Sequence, residues 1–463
     1  MSISIIIFIP SLLLVALSFF KINRTLMAAV SSLIIVPAIY IFMHPFVNEY
    51  FLVDKLNSFV LLISSIVGVG VSLSMISLPD RLNLNEEAIK RFYRFFGIFW
   101  FGLIISILAN NMGIFWIGLE FATLSTVYMI KVKDSLTAHK EAWKYLTVGA
   151  IAISLVLFGI ILMYASAKDV LGEDAMNFYA LAKNASKINS FLFEIGFTIS
   201  VTGFFIKMGF FPMNLWLADI ERASIYPVAA LFSGILESAI MLGFFRLSKI
   251  EMLVNTSHLV TFSYIYAIFT LFMVSFLIYR AKDFVTTFAL SGIEHMVLIT
   301  IFWVSGGYFA ALLHLAAHAF LKPALFLSSS MLEQNRRYRF KGALKGYKNK
   351  LIPLLISLLL LGIISIPPSP MFFSEIFGFK AMLDVAQDSD YFLVMIFAIF
   401  IIMLLLSIIF YKFITIYQEA LYDGDDEPKK VYKSEIAMLL LFTISLLALI
   451  LPQVFDYIEG IIK

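Results

Sequence analysis

Nine ionisable side chains stand in stretches that are otherwise apolar. They are Glu120, Lys207, Glu237, Glu294, His295, His314, His318, Lys322 and Glu375. An ionised group at mid-bilayer costs at least about 2.5–3.5 kcal/mol on insertion scales, so such residues are candidates for function. Singly, each could equally be a structural ion pair or a satisfied contact between helices. As a set they suit a path for a proton or another cation. His314, His318 and Lys322 are spaced i, i+4, i+8 and share one helix face, at steps of about 6 Å. Imidazole titrates closest to neutrality, which suits a relay. A metal site needs further ligands that converge on the pair, and spacing alone supplies none. Two histidines four apart on one helix cannot flank a haem iron from opposite sides. With no cysteine there is no disulfide, iron–sulfur ligation or thiolate zinc. No Gly-rich dinucleotide turn follows a strand. The expectation is therefore no catalytic residue, no metal and no cofactor.

The elements that position these residues follow from composition. Of 463 residues 61% are hydrophobic and 14% charged, against about a quarter charged in a soluble domain. Mean hydropathy is +0.95. This excludes a cytosolic enzyme, a disordered chain and a nucleic-acid binder, and predicts an all-α polytopic membrane protein. About 14 transmembrane helices are expected from runs near 20 residues long. The first lies near 2–20, with Lys21 and Arg24 after it, so it reads as a span and not a leader. The 48 phenylalanines read as lipid-facing packing. Alternate assignment of loops puts 24 basic residues on one side and 8 on the other. By the positive-inside rule both termini then lie on the outer side of the cell (inner) membrane. The segment Tyr422 to Lys433, with Asp423, Asp425, Asp426 and Glu427, reads as a solvated loop.

Two of the runs are interrupted. Span seven carries Gly203, Gly209 and Pro212 around Lys207. Span twelve carries Pro367, Pro368 and Pro370 shortly before Glu375. Proline inside a span frees backbone carbonyls, which membranes tolerate where the backbone lines a cavity. The breaks are five spans apart, an odd number, so a second copy would be inverted. This predicts two inverted five-helix repeats with broken helices in spans 7 and 12. Glu120 then matches Glu294, and Lys207 matches Glu375. The organisation expected is a three-helix segment over 1–92, repeats over 93–256 and 257–418, and a loop with a last helix over 419–463.

Four stretches carry a family resemblance. They are Asn110-Asn-Met-Gly-Ile-Phe-Trp-Ile-Gly-Leu-Glu120; Lys207-Met-Gly-Phe-Phe-Pro212-Met-Asn-Leu-Trp216, with Pro227-Val-Ala-Ala-Leu-Phe-Ser-Gly234; His314-Leu-Ala-Ala-His318-Ala-Phe-Leu-Lys322-Pro; and Pro367-Pro-Ser-Pro-Met-Phe-Phe-Ser-Glu375. Over roughly residues 50–410 the chain resembles the antiporter-like proton-translocating subunits of respiratory complex I, Mrp antiporters and group 4 membrane-bound hydrogenases. Glu141-Ala-Trp-Lys-Tyr-Leu146 and Ser291-Gly-Ile-Glu294-His295-Met296 look most like the hydrogenase-type branch. The resemblance implies a polar axis through Glu120, Lys207, His318, Lys322 and Glu375. The chain departs from the family where a basic span-eight residue is replaced by Ser238, beside Glu237. The loop after Trp216 is eroded to Ala218-Asp219-Ile-Glu221-Arg222-Ala-Ser-Ile225, and Val285-Thr286 replace a basic pair.

The function implied is a non-redox, proton (or sodium) translocating subunit of a redox-driven complex, such as a membrane-bound hydrogenase or an NADH dehydrogenase-like complex. Its partners would be other membrane and peripheral subunits, membrane lipid and H+ or Na+, with no nucleic acid. The alternatives are an Mrp-like cation/proton antiporter subunit, a membrane subunit of a bicarbonate uptake complex, and a structural anchor whose axis no longer conducts.

Overall fold

The computed structural model describes residues 7–254, 258–333, 340–387, 392–422 and 428–462. Several sequence readings therefore lie outside the described residues: Arg336, Arg337 and Arg339 of the basic loop, the acidic run Asp423 to Glu427, and the start of the first run. Among the described residues nearly all regular structure is helix. The exception is a two-stranded antiparallel ribbon, Phe46–Val47 with Leu52–Val53.

Among the described residues eleven helices are long and apolar enough to cross a membrane. A twelfth arises if Lys433–Ala448 and Pro452–Ile461, bent by 71°, count as one span. The two other expected runs take different forms. The described part of the first holds a nine-residue helix, Ile9–Leu17. The run at 351–379 is split by its prolines into Leu351–Ile363 and Pro370–Gln387. At 1.5 Å per residue the 13-residue first piece reaches about 20 Å, short of a bilayer core.

The described chain clusters into two compact units. One comprises Met1–Val69, Asn85–Trp216 and Ile235–Thr261, and the other Gly70–Leu84, Leu217–Gly234 and Phe262–Lys463. In the first unit small residues let backbones meet. A Cβ on Gly118 would stand 2.5 Å from the Ser106 nitrogen, so helix Met112–Ile130 lies hard against Glu86–Leu108. A Cβ on Gly159 would collide with the Gly196 carbonyl, which joins Leu136–Leu171 to Ser190–Lys207. This is the small-residue packing expected where apolar burial alone gives helices no reason to associate.

In the second unit Phe284–Val304 and Tyr308–Leu332 are buried nearly all round. Phe392–Tyr422 instead shows most of its apolar surface, with Phe397, Phe400 and Phe410 exposed. Phenylalanine serves both environments. Phe92, Phe96, Phe99, Phe193, Phe204 and Phe232 are among the largest fully buried side chains, so lipid-facing packing accounts for only part of the phenylalanine content.

Candidate functional site

In the first unit Lys207 is the last residue of helix Ser190–Lys207. The helix is closed by a Schellman turn. Gly209 adopts φ 76°; its N–H donates to the Ile206 carbonyl at 3.1 Å, and that of Phe210 to Phe205 at 2.8 Å. The Trp216 indole N–H also donates to Ile206, at 3.1 Å. Lys207 thus sits at the negative end of its helix, where a cation is favoured. Its side chain is 2% exposed, and the ammonium donates to Thr123 Oγ1 at 2.5 Å. The Thr123 hydroxyl donates to the Leu119 carbonyl at 2.8 Å, which fixes its oxygen as the acceptor toward Lys207. Glu120 lies one turn before Thr123. It is half-buried, its Oε2 has no hydrogen-bond partner, and it and Lys207 act on each other electrostatically. Glu237 and Ser238 are also buried in this unit, directly after a π-helical turn over Phe232–Leu236. Such turns are frequent at functional sites.

The break at span twelve repeats the local pattern of the first. Ser365 takes the place of Gly209 at φ 57°, with Ser365 N–H to Gly362 and Ile366 N–H to Leu361, both 3.2 Å. Pro212 and Pro368 each follow three residues later, and Pro370 opens helix Pro370–Gln387, a position that suits proline. Registered on this shared turn, Lys207 corresponds to Ile363 and Glu375 to Asp219. The two ionisable residues therefore lie on opposite sides of their breaks. Residue order is consistent with this, since Lys207 comes before Pro212 and Glu375 after Pro370.

The second unit gathers the remaining candidates. Lys322 is fully buried and donates to Ser291 Oγ at 2.8 Å; Ser291 in turn donates to Phe288 at 3.1 Å. This repeats the Lys207–Thr123 arrangement. A Cβ on Gly292 would lie 3.6 Å from Lys322 Nζ and 4.0 Å from His318 Nε2, so the two heads share one space. His295 and His318 rings are 5.5 Å apart. His295 Nδ1 and His314 Nε2 are hydrogen bonded at 3.1 Å, and His314 Nδ1 meets Ser374 Oγ at 2.8 Å. Glu294 Oε2 stands 3.8 Å from His295 Nε2. Glu294 also feels the charges of Glu375 and Lys322. The Ser365 hydroxyl donates to Glu375 Oε1. Glu294 and Glu375 both face a cavity of ≈ 240 Å³ that Ser365, Phe379, Ser407 and Phe410 also line. With two carboxylates and two hydroxyls in its lining, that cavity is polar enough, and large enough, for water.

Sequence reasoning passed over Glu221. The stretch that reads as an eroded loop is helix Leu215–Ala223. Glu221 is 2% exposed, neither carboxylate oxygen has a hydrogen-bond partner, and it acts electrostatically on Lys322. The signal was present: Leu217, Ile220 and Glu221 fall at i, i+3, i+4, which puts the carboxylate on the apolar face. Among the described residues no group of three or more His, Asp or Glu is placed to hold a metal ion.

Comparison with known proteins places these features in context. Residues 109–416 match the family model described as NADH:quinone oxidoreductase/Mrp antiporter, transmembrane. A hydrogenase-4 component F homolog from Methylacidiphilum infernorum is 30% identical over 383 residues, covering 80% of each chain. Two solved structures share the fold. A chain of the membrane-bound sulfane sulfur reductase, an archaeal respiratory membrane complex, superposes with TM-score 0.83 at 16% identity, covering 99% of this chain and 95% of that one. A chain of the Mrp complex from a Dietzia species superposes with TM-score 0.82 at 14% identity, covering 99% and 96%.

Proposed function

Because the chain belongs to the NADH:quinone oxidoreductase/Mrp antiporter transmembrane family, we propose that it is a proton- or sodium-translocating membrane subunit of a redox-driven complex of the hydrogenase or NADH dehydrogenase type. The observation that carries this reading is chemical. Each compact unit holds a buried lysine whose ammonium is bound by a helix-fixed hydroxyl, with a carboxylate in electrostatic reach: Lys207 with Thr123 and Glu120, and Lys322 with Ser291, Glu221 and Glu294. A buried charge is stable only with partners. Drawing Glu120 away from Lys207 removes part of what holds the ammonium, so conformational change becomes proton release. The histidines and Glu375 extend the second site toward its cavity.

The finer architecture belongs to the same reading. The chain crosses the cell membrane fourteen times, with both termini outside. Residues 93–256 and 257–418 are inverted repeats, flanked by 1–92 and 419–463. The breaks at Pro212 and at Pro367, Pro368 and Pro370 open the backbone where ions pass. Glu120, Lys207, Glu237, Glu294, His295, His314, His318, Lys322 and Glu375 carry the ion, and other membrane and peripheral subunits supply the redox energy. The shared turn at Gly209 and Ser365 supports the repeat. The 30% identity to a hydrogenase-4 component homolog supports the hydrogenase-type assignment.

The test is native co-purification on a tag carried by this chain, followed by reconstitution into proteoliposomes. Redox subunits in the eluate and acidification driven by their turnover are expected. Sodium uptake that persists with a protonophore would assign sodium as the ion. A chain that purifies without redox partners and exchanges cations for protons unaided would replace this reading with an antiporter.

A further inference from the structure

The hydrogen bonds around Ser374 fix the direction in which the histidine pair can take up a proton. Serine has one proton to give. Ser374 Oγ lies 2.7 Å from the Met371 carbonyl, which can only accept, so the hydroxyl proton points there. Toward His314 Nδ1, at 2.8 Å, the same oxygen must accept. Neutral His314 therefore carries its proton on Nδ1 and leaves Nε2 bare. The bond to His295 at 3.1 Å then needs its proton on His295 Nδ1. Neutral His295 in turn leaves Nε2 bare, without a hydrogen-bond partner and 3.8 Å from Glu294 Oε2. All four side chains are buried, at 0–5% exposure.

We propose that Ser374 is a positioning residue that locks His314 and His295 in the Nδ1–H tautomer, so that His314 is loaded with a proton only through His295 and from the Glu294 side. The step is balanced. A protonated Glu294 gives its proton to His295 Nε2 and becomes a carboxylate. His295 passes its Nδ1 proton to His314 Nε2 and returns to neutral with the proton on Nε2. His314 becomes an imidazolium whose Nδ1–H still donates to Ser374. No proton can enter His314 from the Ser374 side, because that nitrogen is already filled. The inference deepens the proposed function and rests on it for its purpose; the tautomers themselves can be read without any transport.

The experiment is magic-angle-spinning NMR of the full chain in lipid bilayers, labelled with 15N-histidine. The protein has six histidines, and His295→Gln and His314→Gln assign the two signals. Both rings are expected as Nδ1–H, the minor tautomer of imidazole in water. Ser374→Ala removes the lock and should move both to Nε2–H, whereas Ser374→Thr keeps the hydroxyl and should match the wild type. An Nε2–H or imidazolium signal from either ring in the wild type would overturn the proposal. So would an unchanged Ser374→Ala spectrum, or a Ser374→Thr spectrum that shifts as alanine does. The wild-type spectrum decides even if the alanine variant does not fold. Predicted tautomers in a complex that moves no ion would instead count against the proposed function alone.

Discussion

Replacing Thr123 with valine tests how the first lysine is held. The change keeps shape and removes one oxygen. That oxygen accepts from the Lys207 ammonium at 2.5 Å, in a site where the lysine side chain is 2% exposed. A hydrogen bond to a charged group is worth about 1.5–3 kcal/mol, and its loss here leaves a buried charge short of a partner. At room temperature that is roughly a 10- to 150-fold change in the population of the state in which Lys207 holds its charge. If that state lies on the cycle, translocation should slow by at least about tenfold on the same energy. The assay is the initial rate of dye-reported acidification in proteoliposomes carrying the native complex, normalised to electron transfer. Thr123→Ser keeps the hydroxyl and should stay near the wild-type rate. Wild-type rates in the valine variant, or equal impairment in the serine variant, would refute the argument that this oxygen supports the charged lysine.

Four further outcomes follow from the geometry. Ser365→Gly should keep or raise thermal stability, because a non-glycine residue at φ 57° costs about 1–2 kcal/mol. It should nevertheless slow translocation, because Glu375 loses its hydroxyl donor; unchanged translocation would show that this bond is idle. Trp216→Phe removes the indole bond to Ile206, worth about 0.5–1.5 kcal/mol. Native complex should still assemble but pump more slowly, which co-purification and the dye assay would show together. Gly118→Ala forces a Cβ to within 2.5 Å of the Ser106 nitrogen. Overpacking of this kind costs about 1–3 kcal/mol, and the thermal midpoint measured by intrinsic fluorescence should fall. Arg246 pairs with Asp54 at 2.5 Å and with Asn57 Oδ1 at 2.5 Å. With the arginine side chain 16% and the aspartate 36% exposed, a double-mutant cycle should give a coupling near or above the upper end of the ~0.2–1 kcal/mol typical of exposed pairs.

What was legible in the sequence was what burial makes costly. Glu120, Lys207, Lys322 and Glu375 stand out because ionisable groups are rare in apolar runs, and the i, i+4 spacing of His314 and His318 already implied one face. Proline marked both breaks. The hydroxyl partners Thr123, Ser291, Ser365 and Ser374 were not legible. Serine and threonine are common in apolar helices, where they bond their own backbone, and only coordinates tell which of them also meets a lysine, carboxylate or imidazole. Glu221 hid in a stretch whose polar residues suggested a loop, although Leu217 and Ile220 share its face. The single run read at 351–379 is two helices, because hydropathy averages across Pro367, Pro368 and Pro370 while a helix does not continue through them. Residue order alone shows that Lys207 precedes its break and Glu375 follows its own; the shared turn that registers the two breaks needed coordinates.

The central claim is that these buried lysines carry a cation's charge through the membrane. Lys207→Ala, measured in the reconstituted native complex as protons moved per electron transferred, tests it most directly. Electron transfer should persist while the proton yield falls below that of the wild type by at least this subunit's share. An unchanged proton yield, with the variant chain assembled at full occupancy, would contradict it.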